Sequence, residues 1–227
     1  MIGVFDSGVG GLTAIAEIRR LAPGADICFF ADRANAPYGT KSKEELIRLV
    51  KADIKLLRSC RADKILMACC SASTVYPDLP KRMQAVAVPI IEPAAKAAAR
   101  ATKNGRIGVI ATDATVASGA FRRSLEGYKS VKSVFELAAQ ELVALIEGGV
   151  NDSTVTQNAR RTLCRILSPL YEENIDTLIL GCTHFPHLEG EIGRCFPSVK
   201  LINPSREGAK KILENLSVNG TGRTLYL

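Results

Sequence analysis

Histidine is nearly missing from this chain: its 227 residues hold two, His184 and His187. The seven cysteines include no CxxC pair, so the spacing of a structural zinc site is lacking, and an odd thiol count does not make a closed disulfide framework. Aromatics are 5% of the chain, and no basic tract is interleaved with them. That argues against a nucleic-acid surface despite a net charge of +7 and a pI near 9.1. The basic pairs Arg19-Arg20, Lys81-Arg82, Arg122-Arg123, Arg160-Arg161 and Lys210-Lys211 are scattered, mostly over helical stretches, and read as solvated surface. The positive balance still favours an anionic substrate. No apolar run approaches the ~20 residues of a membrane span. Met1–Asp6 reads as a strand and not a signal peptide, because it has no basic n-region. The thiols are therefore expected to be reduced, in a cytoplasm.

What is present is an ordinary globular composition, 47% hydrophobic and 23% charged, with strands and helices in alternation. Strands are expected at Ile2–Phe5, Ile27–Ala31, Ile65–Ala68, Val88–Ile91, Arg106–Ile110, Ser133–Leu137, Thr177–Leu180 and Lys200–Ile202, with Pro89 marking an edge or a strand end. Helices are expected at Leu12–Ala22, from the capping box Ser42-Lys43-Glu44-Glu45 to about Cys60, near Ala72–Met83, and over Glu92–Thr102. Further helices are expected after the polar loop Ala111–Thr115 to about Glu126, then over Ala138–Glu147, Val155–Glu173 and Pro204–Leu216, with a loose Gly-rich tail at 218–227. Two segments are near-copies. Asp63-Lys64-Ile65-Leu66-Met67-Ala68-Cys69-Cys70-Ser71 lines up with Asp176-Thr177-Leu178-Ile179-Leu180-Gly181-Cys182-Thr183-His184, and Ile2-Gly3-Val4 is echoed by Ile107-Gly108-Val109. The expected fold is α/β: two pseudo-symmetric parallel-sheet domains with the active site in the cleft between them. The first domain takes residues 1–93 and 205–227, and the second 94–204.

In an open α/β sheet, chemistry sits beyond the carboxyl ends of the strands. Cys69 and Cys182 both fall there, so two thiols would face each other across a cleft. Cys28, Cys60, Cys164 and Cys195 read instead as small buried hydrophobes. The loop Asp6-Ser7-Gly8-Val9-Gly10-Gly11 joins a strand to a helix and could bring backbone N–H groups to an anion, but it has neither the Lys-Ser/Thr of a P-loop nor GxGxxG spacing. Asp6, at the strand's end, could hydrogen-bond a thiol or a substrate ammonium. Tyr38, in the turn Ala34–Gly39, could close over a ligand. His184 next to Cys182 is expected to depress that thiol's pKa from ~8.5. Two thiols without a metal or a cofactor loop suit removal of a proton from one face of a carbon and its return to the other.

The residues Gly3-Val4-Phe5-Asp6-Ser7-Gly8-Val9-Gly10-Gly11-Leu12-Thr13, Pro37-Tyr38-Gly39, Ala68-Cys69, Gly108–Thr112 and Leu180-Gly181-Cys182-Thr183-His184-Phe185-Pro186 resemble bacterial glutamate racemase, of the cofactor-independent aspartate/glutamate racemase superfamily. The resemblance runs over essentially the whole chain. It implies interconversion of L- and D-glutamate for peptidoglycan, with no metal or pyridoxal phosphate and no nucleic-acid or membrane partner, and a homodimer. Cys69 and Cys182 would be the acid/base thiols, assisted by Asp6, His184 and Glu147. Asp6, Ser7, Pro37, Tyr38, Gly39, Cys70, Ser71, Thr112, Thr115, Thr183 and His184 would hold the amino acid. Where the family usually carries Asn-Thr after the first cysteine, this chain has Cys70-Ser71, and a thiol is a much weaker hydrogen-bonding group than an amide. That difference leaves two other readings open: an aspartate or other racemase of the superfamily, or a catalytically weak paralogue that binds an amino acid or a partner protein.

Overall fold

The computed structural model describes residues 1–214, 216 and 220–227. The elements in chain order are β1 (Ile2–Asp6), α1 (Leu12–Leu21), β2 (Ile27–Ala31), α2 (Lys43–Ser59), β3 (Lys64–Met67), α3 (Cys70–Ser73), α4 (Lys81–Gln84), β4 (Ala87–Pro89) and α5 (Ile91–Ala101). The second run is β5 (Arg106–Ala111), α6 (Asp113–Ser118), α7 (Ala120–Glu126), β6 (Ser133–Ala138), α8 (Gln140–Glu147), α9 (Gln157–Leu167), β7 (Thr177–Gly181), α10 (Glu189–Cys195) and β8 (Lys200–Ile202). The chain ends with α11 (Pro204–Leu213) and β9 (Thr224–Tyr226).

All strand pairings are parallel. One sheet has the order β4-β3-β1-β2-β9 and the other β6-β5-β7-β8. Read in one direction, β4-β3-β1-β2 and β8-β7-β5-β6 are the same topology. The register repeats as well: Ile2 lies opposite Lys64 and Ile107 opposite Thr177, the positions paired by the sequence echo. Two details explain why those motif residues recur. A Cβ on Gly3 would collide with Ala62 and Ile65, and one on Gly108 would collide with Ile175 and Leu178, so each glycine admits the segment entering the next strand. Asp63 N–H donates to Met1 O and Asp176 N–H to Arg106 O, so each leading aspartate pins the start of its half's first strand. The central strands β1 and β7 are buried along their whole length, as expected where helices cover both faces of a parallel sheet.

Several expectations need correction. The stretch 72–83 is not one helix: Pro77 and Pro80 break it into α3, a 3-10 turn at Tyr76–Asp78, and α4. The segment after Thr112 is two helices hinged at Gly119, which sits at φ +61°. The helix expected to reach Glu173 ends at Leu167 and continues as a 3-10 turn. The tail is not loose over its last residues, because β9 adds to the first sheet beside β2 and Asp26 accepts from the N–H groups of Thr221 and Arg223. Positions 218–219 of that tail lie outside the described residues. Pro89 closes β4, which is both short and at a sheet edge. The capping box forms in full, with Glu45 N–H donating to Ser42 Oγ and Ser42 N–H to Glu45 Oε2.

Candidate active site between the two sheets

The carboxyl ends of β1 and β3 face those of β5 and β7 across a small cavity whose wall comes from both halves. Cys69, the N-cap of α3, and Cys182, directly after β7, both line it. Ser7, Pro37, Tyr38, Gly39, Cys70, Ser71, Thr112, Glu147, Thr183 and His184 do so too. Asp6 and Thr115 do not line the cavity and are fully buried behind its wall. Thr115 instead closes a set of three hydroxyls. Ser71 Oγ lies 2.9 Å from Thr112 Oγ1 and 3.2 Å from Thr115 Oγ1, and the two threonine oxygens are 2.9 Å apart.

Each thiol has its own polar support. Ala72 N–H donates to Cys69 Sγ at 3.5 Å, and Ser7 Oγ lies 3.8 Å from it. Cys182 Sγ lies 3.5 Å from His184 Nδ1, and His184 Nε2 is 3.3 Å from Glu147 Oε1, off the line of a hydrogen bond. Asp6 Oδ2 accepts from Gly11 N–H at 2.7 Å and from Thr183 Oγ1 at 3.4 Å, while its buried Oδ1 has no partner. The glycine loop therefore does not cradle an external anion with that amide, since Gly11 N–H already serves Asp6. Gly10 has a different use: a Cβ there would run into Thr183 and Asp6, so its bareness lets the two halves approach.

Burial, not His184, dominates the thiols. It pushes Cys182 up to about 12, the nearby Asp6 and Glu147 carboxylates add to the rise, and the His184 backbone N–H only partly offsets it. Cys69 is pushed up by burial and by Asp6. The expected depression of the Cys182 pKa is thus overturned: both groups rest as neutral thiols. Asp6 is also raised by burial, which outweighs the nearby His184 and the Gly11 N–H. Cys70 is raised well above an ordinary thiol, again by burial first, and packs in the apolar cluster with Leu66, Ala68 and Ile90. Tyr38 does not hang over the cavity, because its ring is fully buried and its hydroxyl turns inward to Asp32 and Asp53.

Sequence reasoning missed Gly8, Ala36, Gln140 and Val143 on the cavity wall. Gln140, Val143 and Glu147 stand at i, i+3 and i+7 of α8, so helical periodicity read back from Glu147 was the available signal. Gln140 Oε1 is buried without a partner. The cysteines read as buried hydrophobes divide: Cys28 is buried, but Cys164 is exposed, with its sulfur 3.5 Å from that of Cys195.

The chain matches the Asp/Glu/hydantoin racemase family over residues 12–212. It is 43% identical to a glutamate racemase of Desulforudis audaxviator over 206 residues, which cover 90% of this chain and 74% of that protein. The structure superposes on the glutamate racemase isoform RacE1 of Bacillus anthracis with a TM-score of 0.88 at 32% identity, covering 100% of this chain and 86% of the other. It superposes on the glutamate racemase of Francisella tularensis, solved in complex with D-glutamate, with a TM-score of 0.84 at 29% identity, covering 99% and 85%.

Proposed function

The chain belongs to the Asp/Glu/hydantoin racemase family, and from that premise we propose that it is a glutamate racemase working through two thiols, Cys69 and Cys182. The observation that carries the reading is that these two sulfurs, from equivalent strand ends of two halves, line one cavity. An α-carbon held between them has a thiol on each face. One thiolate takes the α-proton, and the opposite thiol returns its own proton to the other face, which inverts the centre. Because both thiols rest neutral, the attacking one must first give up its proton. For Cys182, the acceptor is His184 Nδ1, and Glu147 stabilises the imidazolium that results. For Cys69, the acceptor is Asp6, a buried carboxylate made more basic by desolvation. Asp6 Oδ1, buried without a partner, is the oxygen left to take that proton. Ser7, Ser71 and Thr112 supply hydroxyl donors for the carboxylates, Thr183 keeps its own for Asp6, and Pro37–Gly39 with Cys70 shapes the wall.

The division into residues 1–93 with 205–227 and residues 94–204 belongs to the same reading, supported by β9 pairing with β2 and by the cavity lying between the two sheets. So do a cofactor-free reaction, a supply of D-glutamate to peptidoglycan, a homodimer and a cytoplasmic address. No helix among the described residues is long and apolar enough to cross a membrane. A circular dichroism time course with purified protein and either enantiomer of glutamate tests the function. Decay of ellipticity to zero from both sides, unaffected by chelator or hydroxylamine, is expected. A flat trace with glutamate but decay with aspartate would reassign the substrate. Flat traces with both, together with a thermal shift on adding glutamate, would make the protein a binder.

A further inference from the structure

Tyr38 stands between two residues of the cavity wall, and its hydroxyl is shared by two carboxyl groups. Tyr38 Oη lies 2.6 Å from Asp32 Oδ2 and 2.9 Å from Asp53 Oδ2. All three groups are out of water: Tyr38 is 0%, Asp32 5% and Asp53 2% exposed. A phenol has one proton, so it can donate to only one of these oxygens. The second contact is a hydrogen bond only if the second carboxyl brings a proton of its own. Asp32 is the better anion, since Asn35 Nδ2 donates to both of its oxygens at 2.9 and 3.0 Å and its contact to the phenol is the shorter one. Asp53, on α2, has only Tyr38. The proton therefore belongs on Asp53, which donates to Tyr38 Oη, while Tyr38 donates to Asp32. Burial supports this assignment, raising the Asp53 carboxyl to about 7, with the Asp32 charge adding to the rise. Among the described residues, the titratable groups that act on Asp53 are Tyr38 and Asp32.

The depth of the Tyr38 ring sets the height of its neighbours. Gly39 is pressed against Thr112 and Gln140 on the opposite half, so closely that a Cβ would lie 2.9 Å from each. We propose that Asp53 is a positioning residue for the amino-acid site: its proton, passed through Tyr38, holds Pro37–Gly39 in the geometry that receives the substrate. This rests on the racemase reading above. When Asp53 ionises, two buried anions face one phenol and only one of them can be served. The ring loses its hold on α2, and the substrate finds the competent loop in a smaller fraction of molecules. The sign follows directly. An acid whose pKa is raised by folding stabilises fully below its unfolded value, here 3.8, and loses that contribution as pH rises to its folded value, here about 7.

The test compares wild type with Asp53→Asn, whose amide N–H can donate to Tyr38 Oη at every pH. Wild-type KM for glutamate should rise between pH 6 and 8 by up to about tenfold, as the competent fraction falls, while kcat changes little. Asp53→Asn should match the wild type near pH 6 and keep that low KM at pH 8. The melting temperature of the wild type should fall relative to the variant as pH rises from about 4 to about 7, and level off above. Parallel KM profiles in two enzymes that both racemise glutamate would overturn the proposal alone. Absence of racemisation in the wild type would overturn the racemase reading and this proposal with it. If Asp53→Asn does not fold, carbon-13 titration of labelled aspartate in the wild type decides, with the Asp6 and Asp53 resonances assigned: Asp53 titrating near neutral pH supports the proposal, and Asp53 titrating in the ordinary carboxylate range refutes it.

Discussion

At the scale of single residues, Cys69 and Cys182 are the two thiols that stand at equivalent strand ends of the two halves. Replacing either by Ala should lower racemisation by at least the ~100- to 10,000-fold assigned to a positioned acid or base, measured by circular dichroism in both directions. Near-normal activity of Cys182→Ala from both enantiomers would sink the two-thiol mechanism. Cys70 is a subtler case. It lies at the boundary between the cavity wall and the apolar cluster of Leu66, Ala68 and Ile90, where a thiol suits both sides and an amide suits only one. A hydrogen bond to a charged group is worth roughly 1.5–3 kcal/mol, so Cys70→Asn should lower the glutamate KM by about tenfold or more, at some cost in melting temperature from burying the amide. If KM for glutamate does not fall, the pocket has already compensated around Cys70. The thiol identities were legible in the sequence because they repeat. Their pKa values were not, because burial is a property of the closed cleft and not of the His184 beside one of them.

At the scale of elements, α8 brings Gln140, Val143 and Glu147 to the cavity on one face. Glu147 is the outer member, its side chain 56% exposed, so its charge reaches His184 through a partly aqueous path. Glu147→Gln should cost on the order of 1 kcal/mol, about fivefold in kcat/KM, equally from both enantiomers because their equilibrium constant is one. An unchanged kcat/KM would mean that Glu147 does not support His184. The pair α9 and α10 presents the accessible sulfur. A water-soluble maleimide should label Cys164 in the folded protein before racemisation declines, with Cys28, Cys69, Cys70 and Cys182 reacting later, as peptide mass mapping would read. The strands were readable because their apolar runs are short and bounded. The broken helix at 72–83 was not, because the apolar residues there kept a helical rhythm across Pro77 and Pro80, which the backbone cannot. The final strand was hidden by Gly220 and Gly222, which look like a frayed end but form the turn that places Thr224–Tyr226 beside β2.

At the scale of the whole molecule, two copies of one sheet topology meet carboxyl end to carboxyl end, and the echo of Cys69 by Cys182 made that arrangement predictable. What holds the halves at working distance was not predictable from either copy. Gly10 is one such device. Gly10→Ala would set a methyl against Thr183 and Asp6, and overpacking of that kind costs about 1–3 kcal/mol. Expressed as a wider cleft, it should reduce kcat/KM by about five- to 150-fold with the fold intact by far-UV circular dichroism. Unchanged kinetics would show that the halves have slack at this contact. The three hydroxyls of Ser71, Thr112 and Thr115 are a second device, since one comes from the first half and two from the second. Three oxygens with three protons and three short edges form a closed ring, in which every group gives once and receives once. Such a ring has two senses of circulation of equal standing, and neither offers a proton outward. A carboxylate arriving at Thr112 or Ser71 breaks one edge and turns the ring into a chain, with all its donors aligned toward the newcomer. The arriving anion thus chooses the direction in which the hydroxyls point, and the last link it commands joins one half of the molecule to the other.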